Sequence, residues 1–486
     1  MPRVRFSLQG FALILFVLCA GTSLSRAQTT FQRTYGDAGP ERGTSVQQTS
    51  DGGYIVVGST GFAKFGTDVY LIKTNFSGDT LWTRTYGGTT YSVGTSVQQT
   101  SDGGYIVAGG SGSFESGGAY LVKTNSSGDT LWTRTYHATP NSHANSVQQT
   151  SDSGYIIAGY TGWNGGGTDV YLIKTNSSGD TLWTRTYGGA GDEQGMSVQQ
   201  TSDGGYIVVG YTWSFGAGPS DFYLIKTSSS GDTLWTRAFG GTHYEFGFSV
   251  QQTSDGGYIV AGQTYSFGAG PSDVYLIKTN SSGDTLWTRT YGGVYQDGGT
   301  SVQQTSDGGY IVAGYYTVFS GPFSSRSYLI KTNSSGDTLW TRTYGDTLGA
   351  TASSVQQTSD GGYIVAGSST LGYNNEDVYL IKTLGDGTVS VQEDRSVMPA
   401  GFALLQNYPN PFNPSTNIRF AVTGSGLVTL KVYDILGREV QTLVSENLQQ
   451  GSYKATFDAT GLASGVYLYR LESRGFSQTR KLILLR

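Results

Sequence analysis

The chain has 486 residues, of which only 13 % are charged, and a formal net charge of −5. A single cysteine, Cys19, excludes a disulfide framework. With no basic stretch anywhere, nucleic acid is excluded as the expected partner.

Residues 1–27 have the form of a secretory signal. Arg3 and Arg5 give a positive start, Phe11 to Ala20 is an apolar run too short to span a bilayer, and Ser25-Arg26-Ala27 is a small-x-small cleavage site. Its removal takes away three arginines and the cysteine and moves the charge to −8.

Residues 28–383 are dominated by one block written seven times. Copies start at Ser45, Ser96, Ser146, Ser197, Ser249, Ser301 and Ser354. Each contains four short runs typified by SVQQT, YIVVGYT, DVYLIKT and TLWTRTY, rich in residues that suit a pleated, half-buried surface. Ser50-Asp51-Gly52-Gly53 joins the first run to the second, and Ser126-Ser127-Gly128-Asp129 joins the third to the fourth; both are hairpin chemistry. No window shows a sustained helical period. The unit is expected to be a four-stranded antiparallel sheet, and a period near fifty fits a β-propeller blade. An open solenoid is the rival, but it needs atypical repeats at its ends. The seventh block lacks its fourth run, and Phe31-Gln32-Arg33-Thr34-Tyr35-Gly36 ahead of the first block matches that run. The expected fold is therefore all-β, a seven-bladed β-propeller with four antiparallel strands per blade, its ring closed by the N-terminal strand. The pattern resembles bacterial repeats of the GGYIVAG, DVYLIKT, TYGG kind, close to kelch repeats in style. The SSGDTLW hairpin carries Gly and Asp in the wrong order for the Asp-box of sialidases, so that activity does not carry over.

Comparison of the seven copies with one another locates a working face. The first-to-second and third-to-fourth loops barely change. The second-to-third loops and the connections between blades, expected together at the opposite end, change in every copy, as contact surfaces of repeat folds do. Trp163, Trp213, Phe215, Tyr244, Glu245, Tyr265, Phe267, Tyr295, Asp297 and Tyr373 are the candidate ligand residues. Exposed rings beside carboxylates and amides suit a pyranose face with its hydroxyls, and equally a protein partner.

Catalytic residues are not assigned. The chain has three histidines, His137, His143 and His243, and none of the common hydrolase or metalloprotease motifs. His137 and His143 share one connection but have no third metal-binding companion there. Asp68, Asp169, Asp221, Asp273 and Asp377 recur before the third strand, where an Asp satisfies backbone amides; Arg326 at the same place spoils a shared metal site. No metal and no cofactor are expected. A binding or adhesion module is the reading, with no enzymatic activity, and the chain is expected to be a monomer. The alternative is a glycosidase or lyase with acids such as Glu193 and Glu245 contributed by several connections.

Residues 384–403 read as a linker. Residues 404–486 then contain Tyr408-Pro409-Asn410-Pro411-Phe412, Tyr433-Asp434 with Gly437-Arg438, Ser464-Gly465-Val466-Tyr467 and a final Lys481-Leu482. In this order they resemble the C-terminal sorting domain of type IX secretion cargo. The resemblance implies an outer-membrane translocon and a sorting peptidase as partners, and a location outside the cell or on its outer surface. Alternating segments such as Val428, Leu430 and Val432 lead to a small immunoglobulin-like β-sandwich.

Overall fold

The computed structural model describes residues 30–36, 39–61, 66–87, 91–112, 117–139, 141–163, 166–319, 325–345, 349–372, 375–387, 389, 392–394, 402–407, 410–459, 462–473 and 475–485. Among them there is no helix. The N-terminal region consists of seven four-stranded antiparallel sheets, a propeller-like arrangement. Sheet 1 is built from Glu41–Gln48, Tyr54–Thr60, Asp68–Thr74 and Thr80–Tyr86, hydrogen-bonded in that order. Sheets 2 to 6 repeat this plan between residues 92 and 344. Sheet 7 consists of Ala350–Gln357, Tyr363–Gly372, Asn375–Thr383 and, on its outer edge, Phe31–Tyr35. Phe31 stands opposite Lys382 and Tyr35 opposite Val378, the register that places Trp82 opposite Lys73 and Tyr86 opposite Val69 in sheet 1.

The middle strands are apolar at successive positions because both of their faces are covered. In sheet 4, Ile207, Val209, Phe222 and Leu224 pack against Val250, Tyr258, Val260 and Tyr275 of sheet 5. The intervening Val208, Tyr223 and Ile225 pack against Ile156, Ala158 and Leu172 of sheet 3. Sheet 7 meets sheet 1 in the same way, through Phe31, Tyr35, Val378 and Leu380 against Tyr54, Val56 and Ile72.

The first strands carry a second set of joints. Gln47 Oε1 accepts the backbone N–H of Gln99 in the next sheet, and Gln98, Gln148, Gln199, Gln251 and Gln303 repeat this at 2.5–2.6 Å. Gln356 of sheet 7 accepts from Gln48 of sheet 1 in the same way. A parallel series uses the serine of SVQQ, for example Ser197 Oγ accepting from Val250 N and Ser354 Oγ accepting from Val46 N. The SVQQ repeat is thus an inter-sheet ladder in which side-chain acceptors replace the strand partner that an innermost edge lacks.

Each SDGG hairpin also holds a lysine. The Lys226 ammonium is buried, donates to the Thr227 carbonyl at 2.9 Å and pairs with Asp203 at 2.9 Å. A buried cation needs such a partner. The outer strand solves a different problem, its open edge. Arg84 lies over the Trp82 ring, 5.5 Å from its centroid, and donates to the carbonyl of Thr83. The same arrangement recurs at Arg134, Arg185, Arg237, Arg289 and Arg342, and it covers part of the edge that would otherwise pair with another chain.

Residues 392–394 and 403–484 form two more four-stranded sheets around one core of Ile418, Phe420, Val428, Leu430, Tyr469, Leu482 and their neighbours.

Candidate ligand-binding face

The second-to-third loops and the inter-sheet connections interlock at one end of the sheets. Trp213 N donates to Asp192 O, Tyr265 N to Tyr244 O, and Glu245 N to Ser220 O, so the connection between sheets 4 and 5 is bonded to the loops on both sides of it. Around sheets 4 and 5 the described variable residues therefore form one continuous surface.

Over sheets 4 and 5 this surface carries five rings in mutual contact. Trp213 and Tyr244 have centroids 6.2 Å apart, Tyr244 and Tyr265 6.4 Å, and Phe246 and Tyr265 6.3 Å. Tyr244 lies parallel to Phe246 at 6.3 Å, and Tyr211 meets Phe246 edge-on at 5.1 Å. Trp213 is 50 % exposed and Tyr244 41 %. Burial pushes the Tyr211 phenol up to about 12, so it is a neutral hydroxyl at ordinary pH, and among the described residues it has no hydrogen-bond partner. Gln263 beside the patch donates to Ser272 Oγ at 2.7 Å and to the Tyr315 hydroxyl at 2.8 Å. At the far side of sheet 3, His143 stacks on Tyr160 at 5.5 Å; burial lowers its pKa, which keeps the imidazole neutral.

The sequence candidates divide into three groups. Trp213, Tyr244 and Tyr265 join the patch. Phe215 and Phe267 are exposed on its flank and lean on Tyr223 and Tyr275, while Tyr295 is half-buried in the next connection. Trp163 ends the second strand of sheet 3, with its side chain outside the described residues, and Tyr373 also falls outside them. Glu245 and Asp297 are not on the surface: both are fully buried. Glu245 Oε1 accepts from Thr264 Oγ1 and Ser266 N, and Oε2 accepts from Gly241 N. Glu193 repeats these bonds with Thr212, Ser214 and Gly189.

Each of these acids faces the recurrent Asp of the preceding sheet. A Cβ on Gly240 would stand 1.7 Å from Asp221 Oδ1 and 2.4 Å from Glu245 Oε2, so this glycine is required by two carboxyls that close on one Cα. Asp221 Oδ2 accepts from Gly218 N, as expected for a strand-start Asp, but Oδ1 is buried with no hydrogen-bond partner. Burial raises the Asp221 pKa, and the Glu245 charge adds to this. Two such groups facing each other cannot both ionise cheaply, which is the direction in which Asp221 is shifted. The pairing recurs as Asp169–Glu193 and Asp273–Asp297. Where Gly118 replaces the Asp, the next sheet offers Ser142 instead of an acid, and His137 fills the space. His137 and His143 therefore serve different neighbours, Gly118 and Gly110, and no group of three metal-ligating side chains occurs among the described residues.

Phe246 stands among the rings the sequence places in the variable connections, whereas sequence reasoning missed Tyr160, Tyr211, Gln263 and Tyr315 because they lie inside strands. A usable signal was present. Ser59, Gly110, Tyr160, Tyr211, Gln263, Tyr315 and Ser368 occupy one position after an otherwise repeated glycine, and it differs in most copies.

In the C-terminal unit, Phe412 is buried against Phe457, and its backbone exchanges hydrogen bonds with Ile483 and Leu485. Asn410 Oδ1 accepts from Ile483 N at 2.9 Å. Pro411 is exposed, and Tyr408 and Pro409 lie outside the described residues. Gly437, at φ 77°, closes the turn that Asp434 and Arg438 bridge at 2.7 Å. Gly465 opens a strand in which Tyr467 is buried and bonded to Ala463 O. Lys481 points outward while its carbonyl accepts from Gln406. The motif residues thus tie the last strand into the sandwich core.

These features define an all-β, propeller-like repeat protein with an appended C-terminal unit. Residues 406–485 match the family model described as secretion system C-terminal sorting domain. The chain therefore carries a type IX sorting domain, engages that secretion machinery, and is delivered to the cell surface or the extracellular space. Among curated proteins, the regulatory protein FlaEY of Caulobacter vibrioides is 30 % identical over 110 residues, which are 20 % of this chain and 12 % of that protein. Among solved structures, Sqt1 from Chaetomium thermophilum covers 80 % of this chain and 95 % of its own length at 12 % identity and a TM-score of 0.42. An ancestral GH74 enzyme covers 94 % of this chain and 64 % of its own length at 13 % identity and a TM-score of 0.40.

Proposed function

We propose that the seven sheets close into a seven-bladed β-propeller, that the C-terminal unit is an immunoglobulin-like sandwich used for export, and that the propeller is a monomeric, surface-displayed binding module for carbohydrate. The contiguous patch of Tyr211, Trp213, Tyr244, Phe246 and Tyr265 carries this reading. Its exposed ring faces give apolar platforms for pyranose C–H groups, and the free Tyr211 hydroxyl at its edge reaches sugar oxygens. Aromatic anchors of this kind dominate recognition energies, about 2 kcal/mol or more for a well-packed ring.

Turnover is not part of the proposal. Glycoside hydrolysis needs two carboxyls facing the same bond with access to it. Glu193 and Glu245 are instead buried, with both oxygens of each accepting bonds from their own loops. A glycan array probed with the mature chain, followed by product analysis on each hit, tests both halves. Binding without turnover is expected. Hydrolysis of a hit that disappears in Glu245→Gln would overturn the reading.

A further inference from the structure

The ring patch has a polar neighbour built on the same plan. In sheet 4, Gln194 stands opposite Tyr211 across the first and second strands. One step further on, Trp213 N donates to Asp192 O at 3.0 Å. Strand alternation turns the intervening pair, Glu193 and Thr212, inward, where both are buried. Asp192, Gln194, Tyr211 and Trp213 are left together on the other face. The same four places in sheet 5 hold Tyr244, Phe246, Gln263 and Tyr265. The two sets touch, Tyr211 on Phe246 and Trp213 on Tyr244. Sheet 5 supplies rings, and the amide nitrogen of Gln263 is already spent on Ser272 and Tyr315. Groups that can hold hydroxyls come from sheet 4.

Those groups are uncommitted. Asp192 is exposed, and its Oδ1 accepts from Thr168 N at 2.8 Å and from Thr168 Oγ1 at 3.2 Å. These bonds fix the carboxylate and leave Oδ2 open. Among the described residues nothing bonds to Asp192 Oδ2, to the amide of the half-buried Gln194 or to the Tyr211 hydroxyl. An anionic acceptor, an amide that both donates and accepts, and a hydroxyl, all beside an exposed indole, match neighbouring hydroxyls on one sugar ring. The Asp192 carboxylate also repels a second negative charge, and none of the residues in the two sets is basic. We propose that Asp192 and Gln194 are the hydroxyl-gripping residues of the patch, and that they select an uncharged glycan over its uronic, sialylated or sulfated counterparts. The inference rests on the carbohydrate reading and adds to it the class of sugar and the two residues that choose it.

The test probes an array of neutral glycans and their matching acidic forms with the mature chain, Asp192→Asn, Gln194→Met and Trp213→Ala. The asparagine keeps an acceptor for Thr168 N and removes the charge; equal thermal melting of the variants checks the fold. The parent should bind a neutral glycan at least tenfold more tightly than its acidic form. Asp192→Asn should weaken the neutral hit about tenfold and narrow the gap between the two forms, a change in selectivity that a merely structural role would not produce. Gln194→Met should weaken both forms and leave the gap open. A preference for acidic forms, or binding that Trp213→Ala weakens while Asp192→Asn alters neither affinity nor selectivity, overturns this assignment and spares the carbohydrate reading. No glycan bound by the parent overturns both.

Discussion

Phe31→Ala probes the joint between the two ends of the repeat region. Phe31 takes the place that tryptophan holds in the other sheets: its ring meets Tyr54 at 6.0 Å and 64°, against 5.9 Å and 62° for Trp82 on Tyr105. It is 6 % exposed and packs over Gly78, whose carbonyl also accepts from the Tyr35 hydroxyl at 2.6 Å. Truncating a buried Phe costs about 3–5 kcal/mol, a large share of the typical 5–15 kcal/mol total. Removing the Tyr35 hydroxyl costs about 1 kcal/mol more for its bond. A chain beginning at residue 37 loses the whole strand and exposes the outer edge of Asn375–Thr383, which invites pairing with a second chain. Urea unfolding of Phe31→Ala and light scattering of the truncated chain read the two effects. If Phe31→Ala unfolds within 0.5 kcal/mol of the parent, a margin typical of neutral surface changes, and the truncated chain stays monomeric, the N-terminal strand does not latch the ring.

The SDGG hairpins predict an acid-labile fold. Burial pushes the Asp203 carboxyl up, but hydrogen bonds from Thr201, Lys226 and Gly205 outweigh it and hold it at about 2. Asp102, Asp152, Asp255 and Asp307 behave alike. A depressed carboxyl stabilises above its unfolded value of 3.8 and loses that contribution as pH falls toward 2. Because Asp203 is 57 % exposed, screening cuts each hairpin to about 1 kcal/mol or less, yet the repeats act together. Unfolding between pH 4 and 2 should be steep, and Lys226→Met should flatten it slightly; equal slopes in the two proteins would contradict the pairing. The buried Asp221 carboxyl has the opposite sign. A raised carboxyl stabilises fully below the unfolded value and loses that contribution as pH rises through its folded one. Asp221→Asn should therefore gain stability relative to the parent in urea melts as pH rises above the unfolded value of 3.8, and a difference that stays constant with pH would rule out a raised Asp221. In the sorting domain, Phe412→Ala should cost about 3–5 kcal/mol of that unit's stability and leave the chain in the periplasm by fractionation; normal surface delivery would show that the buried Phe is dispensable for export.

Much of the fold was legible before any coordinates. The repeat, the two hairpins and the displaced FQRTY strand follow from local signals: Asp-Gly turns, β-branched runs and a fixed period. The roles of Gln47 and Glu245 were not. Gln47 looks like an ordinary polar strand residue, because its partner is a main-chain N–H in the next sheet, 52 positions away. Glu245 sits in a variable loop and reads as exposed, yet Thr264, Ser266 and Gly241 draw it inside and Asp221 waits opposite. Pairing between sheets decides both, and periodicity within one strand carries no trace of it. Trp213, Tyr244 and Tyr265, which the structure brings into contact, could be picked out as candidates because loops reveal variation plainly. Tyr211 was overlooked because strand residues are first assumed to be core.

The most direct test of a carbohydrate-binding patch is the dissociation constant of the best array glycan for the parent, Trp213→Ala, Tyr244→Ala and, as a control, Leu286→Ala, an exposed residue on an outer strand. The first two substitutions should each weaken binding about tenfold to thirtyfold, and Leu286→Ala should leave it unchanged. Equal affinities across all four proteins would place the ligand elsewhere on the molecule.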